Sequence, residues 1–197
     1  MPIITIDGNI GACKSLILEN LQRKHNQLIS LEPINEWEKL LTDIYLNDEG
    51  YFNLELRIFL DRGFIQSNNN TIIFIERSSK FTRETFIETY KEKFTLQEYN
   101  ILNYLYDNAD NKLNKNITEP VIYFYIQSSP EKCLDTIKTR DRSIEKCVNI
   151  EFLQNLHDKH ECCYENAYKQ GFPIHKINSD DKTIEEISNC IMKHIYG

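Results

Sequence analysis

Short apolar runs alternate with helix-period stripes along this chain. Runs over 3–6, 27–31, 71–75, 121–126 and 174–177 are rich in Ile, Val, Phe and Tyr and bounded by polar or glycine-containing stretches, which predicts five β-strands. Between them, apolar residues recur at three- and four-residue intervals. That spacing predicts helices over about 14–24, 35–42, 52–66, 82–93, 96–108, 130–139 and 150–169, with a last helix closing the chain. Asn68-Asn69-Asn70 reads as a turn, 111–116 as a polar loop, and Gly171-Phe172-Pro173 leads into the last strand. Strands alternating with helices predict an α/β fold, a five-stranded parallel sheet flanked by helices. No repeat or low-complexity linker interrupts the pattern, so a single domain over 1–197 is expected.

Composition narrows the partners. The 197 residues carry 23 basic and 30 acidic side chains, a net charge of −7, with no basic run. A nucleic-acid polymer is therefore not an expected partner. No apolar stretch is long enough to span a bilayer, and the chain enters its first strand directly after Met1-Pro2, so neither a membrane anchor nor a leader is expected. The six cysteines (13, 133, 147, 162, 163, 190) lack the spacing of a disulfide framework and read as reduced thiols, which points to the cytoplasm.

One octet brings in chemistry. Gly8-Asn9-Ile10-Gly11-Ala12-Cys13-Lys14-Ser15 follows the pattern G-x-x-x-x-G-K-[ST] except that Cys13 stands in place of the second glycine. A strand runs into this turn and the turn opens a helix, whose free N–H groups and dipole favour phosphate. Lys14 is placed to reach the β- and γ-phosphates of a nucleotide such as ATP, and Ser15 to hold Mg²⁺. The glycine before the lysine ordinarily takes backbone angles that cost a side chain about 1–2 kcal/mol. Cys13 thus opens three readings: weakened ATP binding, a redox-sensitive thiol beside a helix N-terminus, or a loop that no longer works. In doubly wound sheets the ligand sits at the carboxyl ends of the strands. There the chain places this loop, Glu32 after the second strand, and Glu76-Arg77 after the third.

Four blocks resemble a known family: Asp7-Gly-Asn-Ile-Gly-Ala-Cys-Lys-Ser15, Glu32-Pro-Ile-Asn-Glu-Trp37, Glu76-Arg-Ser78, and Arg140-Asp-Arg-Ser-Ile-Glu-Lys-Cys-Val148 continuing to Phe152-Leu-Gln-Asn-Leu-His157. In this order they are similar to the deoxynucleoside kinases of the deoxycytidine, deoxyguanosine and mitochondrial thymidine kinase type, including insect and viral members. The resemblance implies a P-loop kinase fold with an arginine-bearing lid at about 140–148, and ATP- and Mg²⁺-dependent phosphorylation of a deoxyribonucleoside 5′-hydroxyl. It implies that Glu32 is the general base, that Arg77 binds the 5′ oxygen, and that Glu76 holds Mg²⁺ through water. Arg140 and Arg142 correspond to lid arginines that close on the transferring phosphoryl group. Glu145, with Tyr45 as its partner, falls where the family contacts the sugar 3′-hydroxyl. Trp37 and Phe86 occupy aromatic base-pocket positions, and plain core packing is the other reading of both.

The base pocket is also where the chain departs from the family. Glu55 stands where a glutamine normally makes a two-pronged base contact, and an ionised carboxylate offers acceptors only. Arg62 matches an arginine of purine- and cytidine-preferring members, whose partner aspartate is here Thr82. Glu55 and Arg62, two turns apart on one helix, are expected to pair with each other and to alter base preference. A homodimer is implied by the resemblance alone. A nucleoside monophosphate kinase and a non-catalytic binding subunit of the same fold remain the alternatives. His157, His160, Cys162 and Cys163 lack the paired spacing of a zinc site.

Overall fold

A computed structural model describes residues 3–62, 72–108 and 120–197. Five strands, β1 (Ile3–Gly8), β2 (Leu28–Ser30), β3 (Ile73–Glu76), β4 (Pro120–Gln127) and β5 (Ile174–Asn178), form one sheet of order β2-β3-β1-β4-β5. All its pairings are parallel, as strand–helix alternation demands. β1 is buried along its whole length because both its neighbours and both sheet faces are covered.

The faces separate by the two-residue strand period. Ile4, Ile6, Phe124 and Ile126 point to one side, where they pack with α1 (Lys14–His25), α6 (Pro130–Arg140) and α8 (Ile184–Tyr196) through residues such as Leu18, Cys133 and Ile191. Tyr123 and Tyr125 point to the other, against Phe81 and the α7 (Ile150–Lys169) side chains Cys163, Tyr164 and Ala167. A further cluster lies where α2 (Ile34–Asn47) and α3 (Tyr51–Arg62) meet α7, built on Trp37, Tyr51, Leu54, Phe86, Tyr90 and Leu156. It walls the crevice beyond the strand ends.

Two predicted helices change form. The helix expected over 35–42 continues to Asn47, because Ile44 and Tyr45 extend the apolar stripe that Trp37 and Leu41 begin, and Asp48 stops it at φ 58°. The helix expected over 82–93 is α4 (Ser79–Thr82), a π segment at Arg83–Ile87, and a 3₁₀ turn at Lys91–Lys93. Through this segment Thr82, Thr85 and Thr89 each turn a hydroxyl back onto the carbonyl four residues earlier. By contrast, α5 (Leu96–Asn108) and α7 have the predicted bounds. The end of the third predicted helix beyond Arg62, the turn at 68–70, the start of the third strand at Thr71 and the loop over 111–116 lie outside the described residues.

Candidate active site

The phosphate loop is held from both sides by backbone. A Cβ on Gly8 (φ 150°) would lie 2.6 Å from the Ile126 carbonyl oxygen, and one on Gly11 (φ 84°) 2.4 Å from that of Cys133. Both positions therefore require glycine. Asn9 Nδ2 donates to the Leu153 carbonyl at 2.9 Å, and Ile10 N–H donates to Asn9 Oδ1 at 2.8 Å, tying the loop to α7. Cys13 takes the left-handed angles φ 59°, ψ 20° expected of the missing glycine. Its thiol turns toward α6, with Sγ 3.9 Å from Thr136 Oγ1, and does not line the crevice.

Directly after it, Lys14 is buried, its Nζ 2.9 Å from the Asn9 carbonyl and 3.9 Å from Glu76 Oε1. Burial, reinforced by the Arg77 charge, lowers its pKa to about 8. Ser15 Oγ donates to both Glu76 oxygens at 3.0 and 3.1 Å. A hydroxyl and a carboxylate converging beside a phosphate loop form a hard-oxygen donor set that suits Mg²⁺.

The β2 and β3 ends supply the next groups. Arg77 Nη1 donates to Glu32 Oε1 at 3.1 Å and Oε2 at 3.3 Å, and the Glu32 N–H donates to Glu76 Oε2 at 3.3 Å. The Arg77 guanidinium lies 4.4 Å above the Phe86 ring. Burial opposes its charge, but Glu32, Glu76 and Asp7 outweigh that and raise its pKa. Arg77 also sits at φ 58°, a strained angle for a side-chain-bearing residue, at the end of β3.

At the end of α6, Arg140 grips Glu145 with Nε–Oε2 2.7 Å and Nη2–Oε1 2.6 Å, and Arg142 lies 3.6 Å from the same carboxylate. Tyr45 lines the same cavity and couples to Glu145 electrostatically, without a hydrogen bond between them. Burial, then the Glu145 charge, raises the phenol to about 12.

The aromatic end holds Trp37 and Phe86, both buried and both lining the cavity. They also belong to the apolar cluster, so the packing and pocket readings coexist. Trp37 Nε1 donates to Asp61 Oδ2 at 2.7 Å, and Arg57 Nε reaches the same oxygen at 2.6 Å. Reading the sequence missed this support. Its signal is that a buried indole N–H needs an acceptor, and α3 offers Asp61. Glu55 faces the same cavity, only 2 % exposed, with Oε2 unpartnered; burial raises its pKa to about 8.

The expected Glu55–Arg62 pair does not form. Arg62 donates to Ser30 Oγ, to the Leu31 carbonyl at 2.9 Å and to the Glu76 carbonyl at 2.5 Å, and it does not line the main cavity. Two turns separate the pair by about 10 Å along the helix axis, while the β2 and β3 ends offer Arg62 nearer acceptors. It therefore binds together the two strand ends that carry Glu32 and Arg77.

One crevice thus gathers Lys14, Ser15, Glu32, Glu76, Arg77, Arg140, Arg142 and Glu145 together with Trp37, Tyr45, Glu55 and Phe86. Elsewhere, His160 is held neutral by burial with its Nδ1 at the Leu156 carbonyl, and Cys163 donates to Glu84. Among the described residues no cluster of three or more His, Cys, Asp or Glu side chains is placed to hold a metal, and no helix is long and apolar enough to cross a membrane.

The profile of the deoxynucleoside kinase family matches residues 4–196. The chain is similar to the deoxyadenosine kinase of Dictyostelium discoideum, 26 % identical over 181 residues, covering 89 % of this chain and 71 % of that one. It is also similar to deoxycytidine kinase 1 of Xenopus laevis, 26 % identical over 191 residues, covering 80 % and 72 %. The fold matches a solved deoxyadenosine kinase from M. mycoides, holding dCMP and dCDP, with a TM-score of 0.79, 20 % identity and coverage of 98 % and 97 %.

Proposed function

The chain belongs to the deoxynucleoside kinase family and is a nucleoside-phosphorylating enzyme; on that premise we propose that it transfers the γ-phosphoryl group of ATP to the 5′-hydroxyl of a deoxyribonucleoside, with Glu32 as general base. The observation that carries this reading is a crevice lined both by phosphate-seeking groups and by aromatic side chains, with Arg77 joining Glu32 to the Phe86 ring.

The nucleoside enters with its base between Trp37 and Phe86 and its 5′-hydroxyl toward Glu32. Glu32 accepts the hydroxyl proton as the oxygen attacks the γ-phosphorus and ADP leaves. Lys14 and the loop N–H groups hold the donor phosphates, and Arg77, Arg140 and Arg142 stabilise charge on the transferring group. The lid arginines reach it by leaving Glu145, which is then free to accept from the sugar 3′-hydroxyl, with Tyr45 beside it. Ser15 and Glu76 are the residues that would hold Mg²⁺, which when bound neutralises phosphate charge. A monophosphate acceptor fits poorly, because the Glu32 carboxylate would repel a phosphate at that position.

The same reading includes a single catalytic domain, a homodimer and residence in the cytoplasm. Leu96, Ile101 and Tyr104, exposed apolar side chains on α5, support an interface, and six free cysteines support a reducing compartment.

Incubation with ATP, Mg²⁺ and each of thymidine, deoxycytidine, deoxyadenosine and deoxyguanosine, read by phosphorus NMR, tests the reaction. The expected products are a 5′-monophosphate and an equal amount of ADP. A 3′-phosphate, or no acceptor phosphorylation with any of the four, overturns it.

A further inference from the structure

Glu55 is an acidic side chain in a place that disfavours its charge. It lies on α3 against Leu54 and Ile58, faces the slot lined by Trp37, Phe86 and Tyr90, and leaves Oε2 without a hydrogen-bond partner. A buried carboxyl oxygen aimed into a cavity is costly to leave unsatisfied, and a ligand placed there would satisfy it. Of the neighbouring donors, the Trp37 indole N–H goes to Asp61 and Arg77 Nη1 to Glu32, while Arg77 Nε has no partner and makes none with Glu55.

Resting on the kinase reading above, we propose that Glu55 reads the nucleobase as a neutral carboxylic acid, presenting one O–H donor and one carbonyl acceptor to the base edge. Such a pair matches N3–H with O4 of thymine, N3 with the amino group of cytosine, and N1 with the amino group of adenine. The acid proton can sit on either oxygen, so one side chain serves both orders of donor and acceptor. An ionised Glu55 presents two acceptors. It would oppose the acceptor atom of those three bases and suit only guanine, whose N1–H and 2-amino group are adjacent donors. The chain thus keeps the two-sided readout of an amide while making it dependent on a proton.

The surroundings support the neutral form. Burial is the leading influence and Glu32, from the end of β2, pushes the same way; Arg77, from the end of β3, opposes them. Tyr90, after the π segment, and Tyr106, on α5, also feel Glu55, and both phenols are held neutral by burial. The balance leaves Glu55 titrating at about 8.

Trp37 is the chain's one tryptophan and lines the slot, so its fluorescence reports nucleoside binding directly. Thymidine and deoxyguanosine are titrated into the parent protein and Glu55→Gln between about pH 6.5 and about pH 9. Thymidine affinity of the parent is expected to fall about tenfold by one pH unit above the midpoint, while deoxyguanosine affinity holds. Glu55→Gln is expected to bind thymidine with no such dependence. The infrared difference between the two proteins at the low end should show a protonated-carboxyl band that shifts when thymidine is added. A parent whose thymidine affinity does not change with pH, a variant that follows the parent, or an absent carboxyl band overturns the proposal. Phosphoryl transfer is measured separately: binding with this signature but no transfer would sink the kinase reading alone, and transfer without the signature would sink the Glu55 reading alone.

Discussion

Arg77 spans both oxygens of Glu32, 3.1 and 3.3 Å away, across the gap between the β3 and β2 ends. The contact fixes the carboxylate in the wall of the crevice that Lys14 and Ser15 also line, partnered by a charge that, in the proposed reaction, an incoming hydroxyl and phosphoryl group would share. Glu32→Gln keeps the shape and an acceptor for Arg77 but removes the proposed general base. Its kcat is expected to fall by about 10²–10⁴, with an unchanged far-ultraviolet circular dichroism spectrum.

Cys13 is held at φ 59°. Cys13→Gly removes about 1–2 kcal/mol of strain but gives back roughly 0.5–1 kcal/mol through a looser unfolded chain. Thermal unfolding should show a gain of about 1 kcal/mol or less, and initial rates a lower KM for ATP.

Lys14 carries its charge below about pH 8 in the free protein and loses it above. The kcat/KM for ATP should therefore decline above that pH, approaching tenfold per unit. The decline should persist in Glu55→Gln, which separates it from base recognition. For folding the sign is opposite. Between about 8 and the ordinary 10.5 the unfolded chain binds this proton more readily, so the Lys14 contribution to stability rises with pH across that window.

Asp61 accepts from both Trp37 and Arg57. Asp61→Ala leaves a buried indole N–H unpaired and should cost about 1–3 kcal/mol in a denaturant titration. Nucleoside KM should rise more than kcat falls, because the ring proposed to border the base loses its anchor.

Glu55 binds its proton more tightly folded than unfolded, so its contribution to stability is present below pH 4.5 and lost as pH rises to about 8. Glutamine does not titrate. The stability of Glu55→Gln relative to the parent should therefore climb by about 1.4 kcal/mol per pH unit through that window, read by chemical denaturation at several pH values.

Much of this arrangement is legible before any coordinates. Five apolar runs foretell five strands, and the octet ending in Lys14-Ser15 announces the phosphate loop because its chemistry is local in sequence. What stays hidden depends on which neighbour a side chain chooses. The spacing of Glu55 and Arg62 puts them on one helix face but cannot reveal that Arg62 finds three oxygens at the β2 and β3 ends instead. Nor can it show that Glu55 is enclosed, since a lone acid in an apolar stripe looks like a helix edge. The link from Trp37 to Asp61 crosses between two helices, and the π segment at Arg83–Ile87 leaves no mark in the spacing of apolar residues.

Steady-state formation of deoxynucleoside 5′-monophosphate from ATP·Mg²⁺, measured for the parent protein and Glu32→Gln side by side, tests the central claim most directly. The account predicts turnover by the parent with at least one of the four deoxynucleosides and a loss of about 10²-fold or more in the variant. No turnover by the parent, or a variant as fast as the parent, would contradict it.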